Sequence, residues 1–116
     1  IVSCCDEKLD EQKIEWHNKK SLCIVLCSKG YPDSYEKNIE IENYESLKTD
    51  ENIFIYHAGT NRKKQKIFSV GGRVLNFVST SDEFIQSRKN VINLINTLNW
   101  SNGFFRSDIG YKIINK

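Results

Sequence analysis

The sequence predicts a small α+β domain with a mainly antiparallel, barrel-like β-sheet and one long helix. Short apolar runs of strand length recur along the chain, beginning with residues 22–27. Apolar residues recur at helical spacing over one long segment, about 82–98. The predicted strands are grouped before this helix and do not alternate with further helices, which favours an antiparallel sheet over a parallel one.

Size and charge narrow the classes of protein that the chain can represent. With 116 residues, 39% hydrophobic and 28% charged, we expect residues 1–116 to form one globular domain. A net charge of +2 indicates neither a general nucleic-acid binder nor a membrane binder. The chain has no methionine, and Ile1–Cys5 resembles the final turn of a helix, so we expect this sequence to be the tail of a longer protein.

The first strand is predicted at residues 22–27, where a continuous apolar run is typical of a buried strand. Cys23 and Cys27 lie four residues apart and would face the same side of it. The four cysteines form no CxxC pair, which favours buried free thiols over a zinc site or a disulfide. Gly30 and Pro32 then predict a loop over 28–34.

Turns and short strands are predicted to alternate over the middle of the chain. Asn38 can adopt left-handed backbone geometry and predicts a turn, after which Ile39 and Ile41 alternate with glutamates in a half-exposed strand. A polar loop or helical turn is predicted at 43–52. Strands at 53–58 and 66–70, joined by a basic turn at 61–66, would make 53–70 a hairpin, and a further strand is predicted at 73–79.

The long helix is predicted over about 82–98. Thr80 and Glu83 have the spacing of a capping box, and the apolar positions behind them are Phe84, Val91, Ile92, Ile95 and Leu98. Residues 100–116 are expected to form a loop and a short terminal strand.

Three glycine-bearing runs carry the candidate functional residues. They are His57-Ala58-Gly59-Thr60, Gly71-Gly72-Arg73-Val74-Leu75 and the segment from Gly103 to Tyr111. Gly71 and Gly72 could expose backbone N–H groups beside the forked guanidinium of Arg73, a combination that suits a phosphate. The alternative is a hairpin turn with a solvated arginine.

The other two runs allow two interpretations each. His57 could donate a hydrogen bond to a ligand phosphate or acyl group, or it could be bonded to a neighbouring carbonyl. Arg106 and Asp108 flank Ser107, and a local salt bridge that fixes the loop is favoured over ligand binding. The chain contains no GxxxxGK[ST], GxGxxG or GxSxG motif and no evident pair of metal-binding carboxylates.

Taken in order, these runs resemble the C-terminal domain of phosphoribosylamine–glycine ligase (glycinamide ribonucleotide synthetase), a purine-biosynthesis enzyme of the ATP-grasp superfamily. The likeness covers almost the whole chain, from the apolar strand before Gly30-Tyr31-Pro32 to the segment that ends at Tyr111. Four positions depart from the family pattern: Asp33 and Asn38 replace usual glycines, Phe105 a usual tyrosine and Ser107 a usual lysine.

The resemblance implies a reaction and a division of labour. ATP would phosphorylate glycine to glycyl phosphate, which the amine of 5-phosphoribosylamine attacks to give glycinamide ribonucleotide. ATP and Mg²⁺ (or Mn²⁺) would be held by an ATP-grasp domain that, with an N-terminal domain, lies upstream of this one. The resemblance thus implies a cytoplasmic enzyme whose isolated C-terminal domain is inactive and holds neither catalytic nor metal-binding residues.

It also implies roles for residues of this chain. Gly71, Gly72 and Arg73 would bind the substrate's ribose phosphate, and His57, Gly59 and Thr60 would shape the same edge. Arg106 and Asp108 would hold the domain against its neighbours. The alternative is a ligand-binding or purely structural β-rich module of another multidomain enzyme, without a catalytic role.

Overall fold

The computed structural model describes residues 1–114, which form two antiparallel sheets and one long helix. The predicted α+β class is confirmed. The strands are β1 (Lys20–Ser28), β2 (Ile39–Glu40), β3 (Ile53–His57), β4 (Thr60–Lys63), β5 (Lys66–Ser69), β6 (Arg73–Ser81) and β7 (Gly103–Phe104). The helices are α1 (Val2–Cys5), α2 (Phe84–Leu98) and α3 (Tyr111–Ile114), with a 3₁₀ turn at Tyr44–Ser46.

The larger sheet has the strand order β3-β6-β1-β7, and α2 packs on one of its faces. Alternate residues of β1 therefore point toward α2 or toward the opposite face of the sheet. Leu22, Ile24 and Leu26 are buried beneath the helix, whereas Cys23 is exposed and Cys27 is partly exposed on the opposite face. The prediction of buried thiols is wrong, because an apolar run does not show which of its faces a neighbour covers.

The smaller sheet has the order β2-β5-β4 and corrects the predicted hairpin over 53–70. The hairpin is β4–β5, whereas β3 pairs with β6. The amide of Gly59 extends the β3–β6 ladder by donating to the Arg73 carbonyl at 2.9 Å, and the chain crosses to the smaller sheet at Thr60. The basic segment is consequently more strand than turn, and it reverses at Lys64, whose φ is 57°.

Helix α2 confirms the predicted long helix, although its start differs. The predicted capping box is wrong: Glu83 is the N-cap without a side-chain cap bond, and Thr80 belongs to β6. The hydroxyl of Ser81 donates instead to the Glu83 carbonyl at 2.6 Å. The residues that the helix buries are Ser87, Val91, Leu94, Ile95 and Leu98.

The segment after α2 joins the two sheets. The indole Nε1 of Trp100, a buried residue, donates to the Glu40 carbonyl of β2 at 2.9 Å. The chain then forms β7 and ends, within the described residues, in α3 where a terminal strand was predicted. Gly110, at φ 81°, allows this turn, and the amides of Ile113 and Ile114 donate to its carbonyl. Residues 115 and 116, the end of the predicted strand, lie outside the described residues.

A transmembrane helix needs about 20 consecutive, mainly apolar residues. In residues 1–114 no helix is both long and apolar enough to cross a membrane. The expected helical turn at the start of the chain is present as α1.

Candidate anion-binding groove

Arg73 lies exposed in an open groove of about 610 Å³ where β6 begins. Within residues 1–114 its guanidinium has no hydrogen-bond or ion-pair partner, so the fork is available to an anion. The groove is lined by Val25, Tyr31, Tyr35, Ala58, Gly59, Gly72, Arg73 and Asn76.

The three glycines near Arg73 allow close packing of the backbone. A Cβ at Gly59 would lie 2.6 Å from the Cα of Gly71, and one at Gly72 would collide with the ring of Tyr31. The amide of Gly71 donates to the Gly59 carbonyl at 3.2 Å. The expectation that this N–H faces a ligand is therefore wrong, because the backbone contact between the two crossing segments occupies it.

His57 is bonded through both ring nitrogens. Its Nε2 lies 2.9 Å from the Tyr44 hydroxyl and its Nδ1 lies 2.9 Å from the Thr60 hydroxyl. Burial lowers the pKa of His57 from its ordinary value of 6.5, and the Arg62 guanidinium lowers it further. Through these two hydrogen bonds the neutral ring connects β3 to the 3₁₀ turn that contains Tyr44 and to Thr60 of β4. The predicted alternative was a carbonyl partner, whereas the observed partners are two hydroxyl groups.

The structure brings only some of the predicted substrate-binding residues together. Gly59, Gly72 and Arg73 line the groove, whereas Gly71 supports it from behind through its contact with Gly59. His57 and Thr60 flank this connection and are not among the lining residues.

Arg106 and Asp108 form the local ion pair that their spacing predicts. Arg106 Nε lies 3.0 Å from Asp108 Oδ1, and Nη2 lies 2.6 Å from Oδ2. The hydrogen bond from Arg106 holds the pKa of Asp108 below its usual range. Both side chains are largely exposed, and Arg106 also borders an apolar hollow that adjoins the Arg73 groove.

Sequence reasoning missed three residues that organise these loops. Tyr44, 13 residues from His57, gave no local signal of its pairing. Tyr31 was seen only as part of a motif, although its ring covers Gly72. Arg88 of α2 reaches the last loop, where its Nε donates to the Ile109 carbonyl at 3.1 Å and its Nη2 to the Ser107 carbonyl. Only the tertiary fold brings such partners together.

Residues 1–114 contain no cluster of candidate metal ligands. Across residues 1–114, no three His, Cys, Asp or Glu side chains converge in a way that could hold a metal ion. Carboxylate oxygens are the protein ligands that Mg²⁺ prefers, and they are not gathered here.

The family comparison covers both sheets, helix α2 and every candidate residue. The family model described as phosphoribosylglycinamide synthetase, C domain, matches residues 21–112. The chain belongs to this family. The resemblance that the glycine-bearing runs indicated is thereby confirmed.

Individual relatives of this C domain agree with the family model. The chain is 33% identical over 116 residues to phosphoribosylamine–glycine ligase of Brucella melitensis, covering 100% of this chain and 27% of the relative. It is 37% identical over 109 residues to the same-named protein of Caldanaerobacter subterraneus, covering 94% and 25%. It is 38% identical over 117 residues to bifunctional purine biosynthetic protein purD of Dictyostelium discoideum, covering 99% and 14%.

A solved structure extends the similarity to three dimensions. The crystal structure of phosphoribosylamine–glycine ligase from Thermotoga maritima superposes with a TM-score of 0.71 at 27% identity, over 94% of this chain and 27% of that one. The chain spans about a quarter of the length of the Brucella and Caldanaerobacter relatives.

Proposed function

We propose that this chain is one domain of a longer phosphoribosylamine–glycine ligase. The observation that carries the proposal is the C-domain match over residues 21–112, together with relatives of that name aligned over nearly the whole chain. The proposed enzyme forms an amide between the glycine carboxylate and the amine of 5-phosphoribosylamine. This is a cytoplasmic step of purine biosynthesis.

The reaction proceeds through an activated carboxylate. Phosphoryl transfer from ATP to glycine gives glycyl phosphate and ADP, and attack by the amine then expels inorganic phosphate and leaves the amide of glycinamide ribonucleotide. Residues 1–114 contain no cluster of three or more His, Cys, Asp or Glu side chains that could hold a metal ion. In the proposal ATP and Mg²⁺ or Mn²⁺ bind to an ATP-grasp domain that, with an N-terminal domain, lies upstream in the same polypeptide.

The part of this chain in the reaction is to hold the substrate's phosphate at Arg73. Three features of the groove support this role: the guanidinium is exposed, it has no partner within the described residues, and the groove beside it is open and lined by Gly59 and Gly72. Gly59 and Gly72 form the wall of the site, with Gly71 behind them. His57 and Thr60 contribute by fixing the β3–β4 connection.

The test is Arg73→Ala in the full-length protein. We expect the Michaelis constant for 5-phosphoribosylamine to rise, with a loss in kcat/KM equivalent to about 1–3 kcal/mol, since a charged hydrogen bond to phosphate is removed. The Michaelis constants for glycine and ATP should change little. Arg73→Lys keeps the charge without the fork and should recover part of the loss.

Lys89→Ala is the control, because Lys89 is an exposed cation on α2 away from the groove. Unchanged kinetics of Arg73→Ala would remove Arg73 from the site without affecting the family assignment. If the wild-type full-length protein forms no ADP from ATP in the presence of Mg²⁺, glycine and 5-phosphoribosylamine, the alternative of a ligand-binding or structural module replaces the ligase.

A further inference from the structure

The face of the larger sheet that points away from α2 carries apolar side chains, several of them exposed within residues 1–114. The strand registers place its residues in two rows, Phe54–Val78–Cys23 and Tyr56–Asn76–Val25. Phe104 of β7 continues this face opposite Cys27. We call these two rows together with Phe104 the open face.

The open face exposes three aromatic side chains. Tyr56 is 55% exposed, Phe104 39% and Phe54 36%, and the Phe54 and Tyr56 rings are stacked side by side with centroids 6.2 Å apart. The opposite face of the same strands carries Ile24 and Phe77, which are fully buried beneath the helix. Contiguous exposed apolar patches on globular domains mark interaction sites.

An apolar hollow of about 400 Å³ extends the open face toward the last loop. Its charged lining residue, Arg106, is neutralised by the ion pair with Asp108. The hollow shares Val25 and Tyr31 with the Arg73 groove, so the apolar surface and the groove are continuous. An apolar surface of another domain can therefore cover the hollow without burying Arg106 unpaired.

We infer that the open face docks against the other domains of the ligase, and that α2 faces away from them. The inference rests on the proposed function. The relatives contain about three-quarters of their length beyond the part matched here, which supplies a covering surface. A phosphate held at Arg73 requires the substrate's amine to meet glycyl phosphate held elsewhere, and the open face is continuous with that groove.

The experiment is hydroxyl-radical footprinting of the full-length protein with residue-level mass spectrometry. Tyr56 and Tyr111 form a matched pair, because they are the same residue type with exposures of 55% and 62% in this domain. Tyr111 belongs to α3, which packs beside α2. We expect Tyr56, Phe54 and Phe104 to be modified several-fold more slowly than these exposures imply, and Tyr111 to react freely.

A pair of variants gives a second readout. Tyr56→Asp and Ile85→Asp each place a carboxylate at an exposed apolar position, one on the open face and one on α2. We expect Tyr56→Asp to lower the ligase activity of the full-length protein while Ile85→Asp retains it, with both retaining the circular dichroism of the parent. Equal activity of the two variants contradicts the inference.

The footprint also distinguishes docking of the other domains from the binding of a second copy at the open face. Free reaction of Tyr56, or protection of Tyr111 and Ile85 in its place, overturns the inference. Protection that disappears on dilution assigns the open face to a second copy and likewise overturns it. Protection of Tyr56 in a full-length protein without ligase turnover would refute the proposed function while leaving the docking face in place.

Discussion

His57 is held by a hydroxyl group on each side of its ring, while burial and a neighbouring cation govern its protonation. In the folded chain its pKa lies below the ordinary 6.5 because burial and the Arg62 guanidinium disfavour the imidazolium form. A neutral ring donates through one nitrogen and accepts through the other. The hydroxyls of Tyr44 and Thr60 can serve either role.

The lowered pKa of His57 predicts a pH-dependent stability. The unfolded chain binds the proton more readily than the folded one, so the free energy of unfolding falls as the pH decreases below 6.5 and stops falling once the folded ring is protonated too. We expect His57→Gln to reduce this dependence between pH 7 and pH 5. Urea unfolding midpoints at both pH values measure it, and an unchanged slope in the variant would assign the dependence to other groups.

For single residues, the sequence indicated which positions lie at the groove better than it indicated what each of them does there. Arg73 and Gly59 were singled out from a charge beside small residues, and both line the groove. The role of Gly71 was misjudged, because a sequence does not show that its amide meets the Gly59 carbonyl. The Tyr44–His57 contact escaped prediction for the same reason, since it depends on how two distant segments cross.

Among the secondary-structure elements, α2 does more than cover the sheet. Arg88 extends from it to two carbonyls of the last loop, at Ser107 and Ile109, and so fixes the segment that leads into α3. The ion pair of Arg106 and Asp108 within that loop is exposed, and such pairs contribute little to stability. Arg88 is therefore the main polar anchor of the loop.

Arg88→Ala should loosen α3 and the loop before it. Two hydrogen bonds from a charged donor are lost, and we expect the local stability to fall by about 1–3 kcal/mol. Hydrogen exchange of the Tyr111 and Ile113 amides, which donate to the Asp108 and Gly110 carbonyls, measures this loss. Lys89→Ala removes the neighbouring exposed cation as a control, and equal exchange in both variants would show that Arg88 does not anchor the loop.

Helix α2 and the strands β1 and β6 could be predicted because their apolar periodicity is local. The pairing of β3 could not be predicted, because several short strands of similar composition could pair with it. Its partner is β6, and the close backbone contact at Gly59 directs the chain after β3 into the smaller sheet. The capping box failed for a related reason: pairing with Ser21 of β1 keeps Thr80 in β6.

On the scale of the whole molecule, Trp100 connects the helix layer to the smaller sheet. Its ring is 7% exposed, and its indole N–H reaches the Glu40 carbonyl of β2. Asn43 adds a weaker bond of 3.3 Å to the Leu98 carbonyl at the end of α2. These contacts fix the smaller sheet relative to the core.

Trp100→Phe should therefore destabilise the protein globally. The substitution leaves the Glu40 carbonyl without this donor and a space beside Gly103, and we expect a loss of about 1–3 kcal/mol. Trp16→Phe is the matched control, since Trp16 is 89% exposed. Urea unfolding of both variants is the measurement, and a similar small effect for both would mean that the indole bond does not hold the sheets together.

The contact between Gly59 and Gly71 has a consequence for how recognition in the groove could be altered. Both strand crossovers pass through this one point, and main-chain atoms alone set their separation. The separation of the two crossovers is thus independent of the side chains that line the groove. Substitutions at Tyr35 and Asn76 would change the side chains that line the groove without touching this backbone contact, which makes this edge a natural starting point for redesigning specificity.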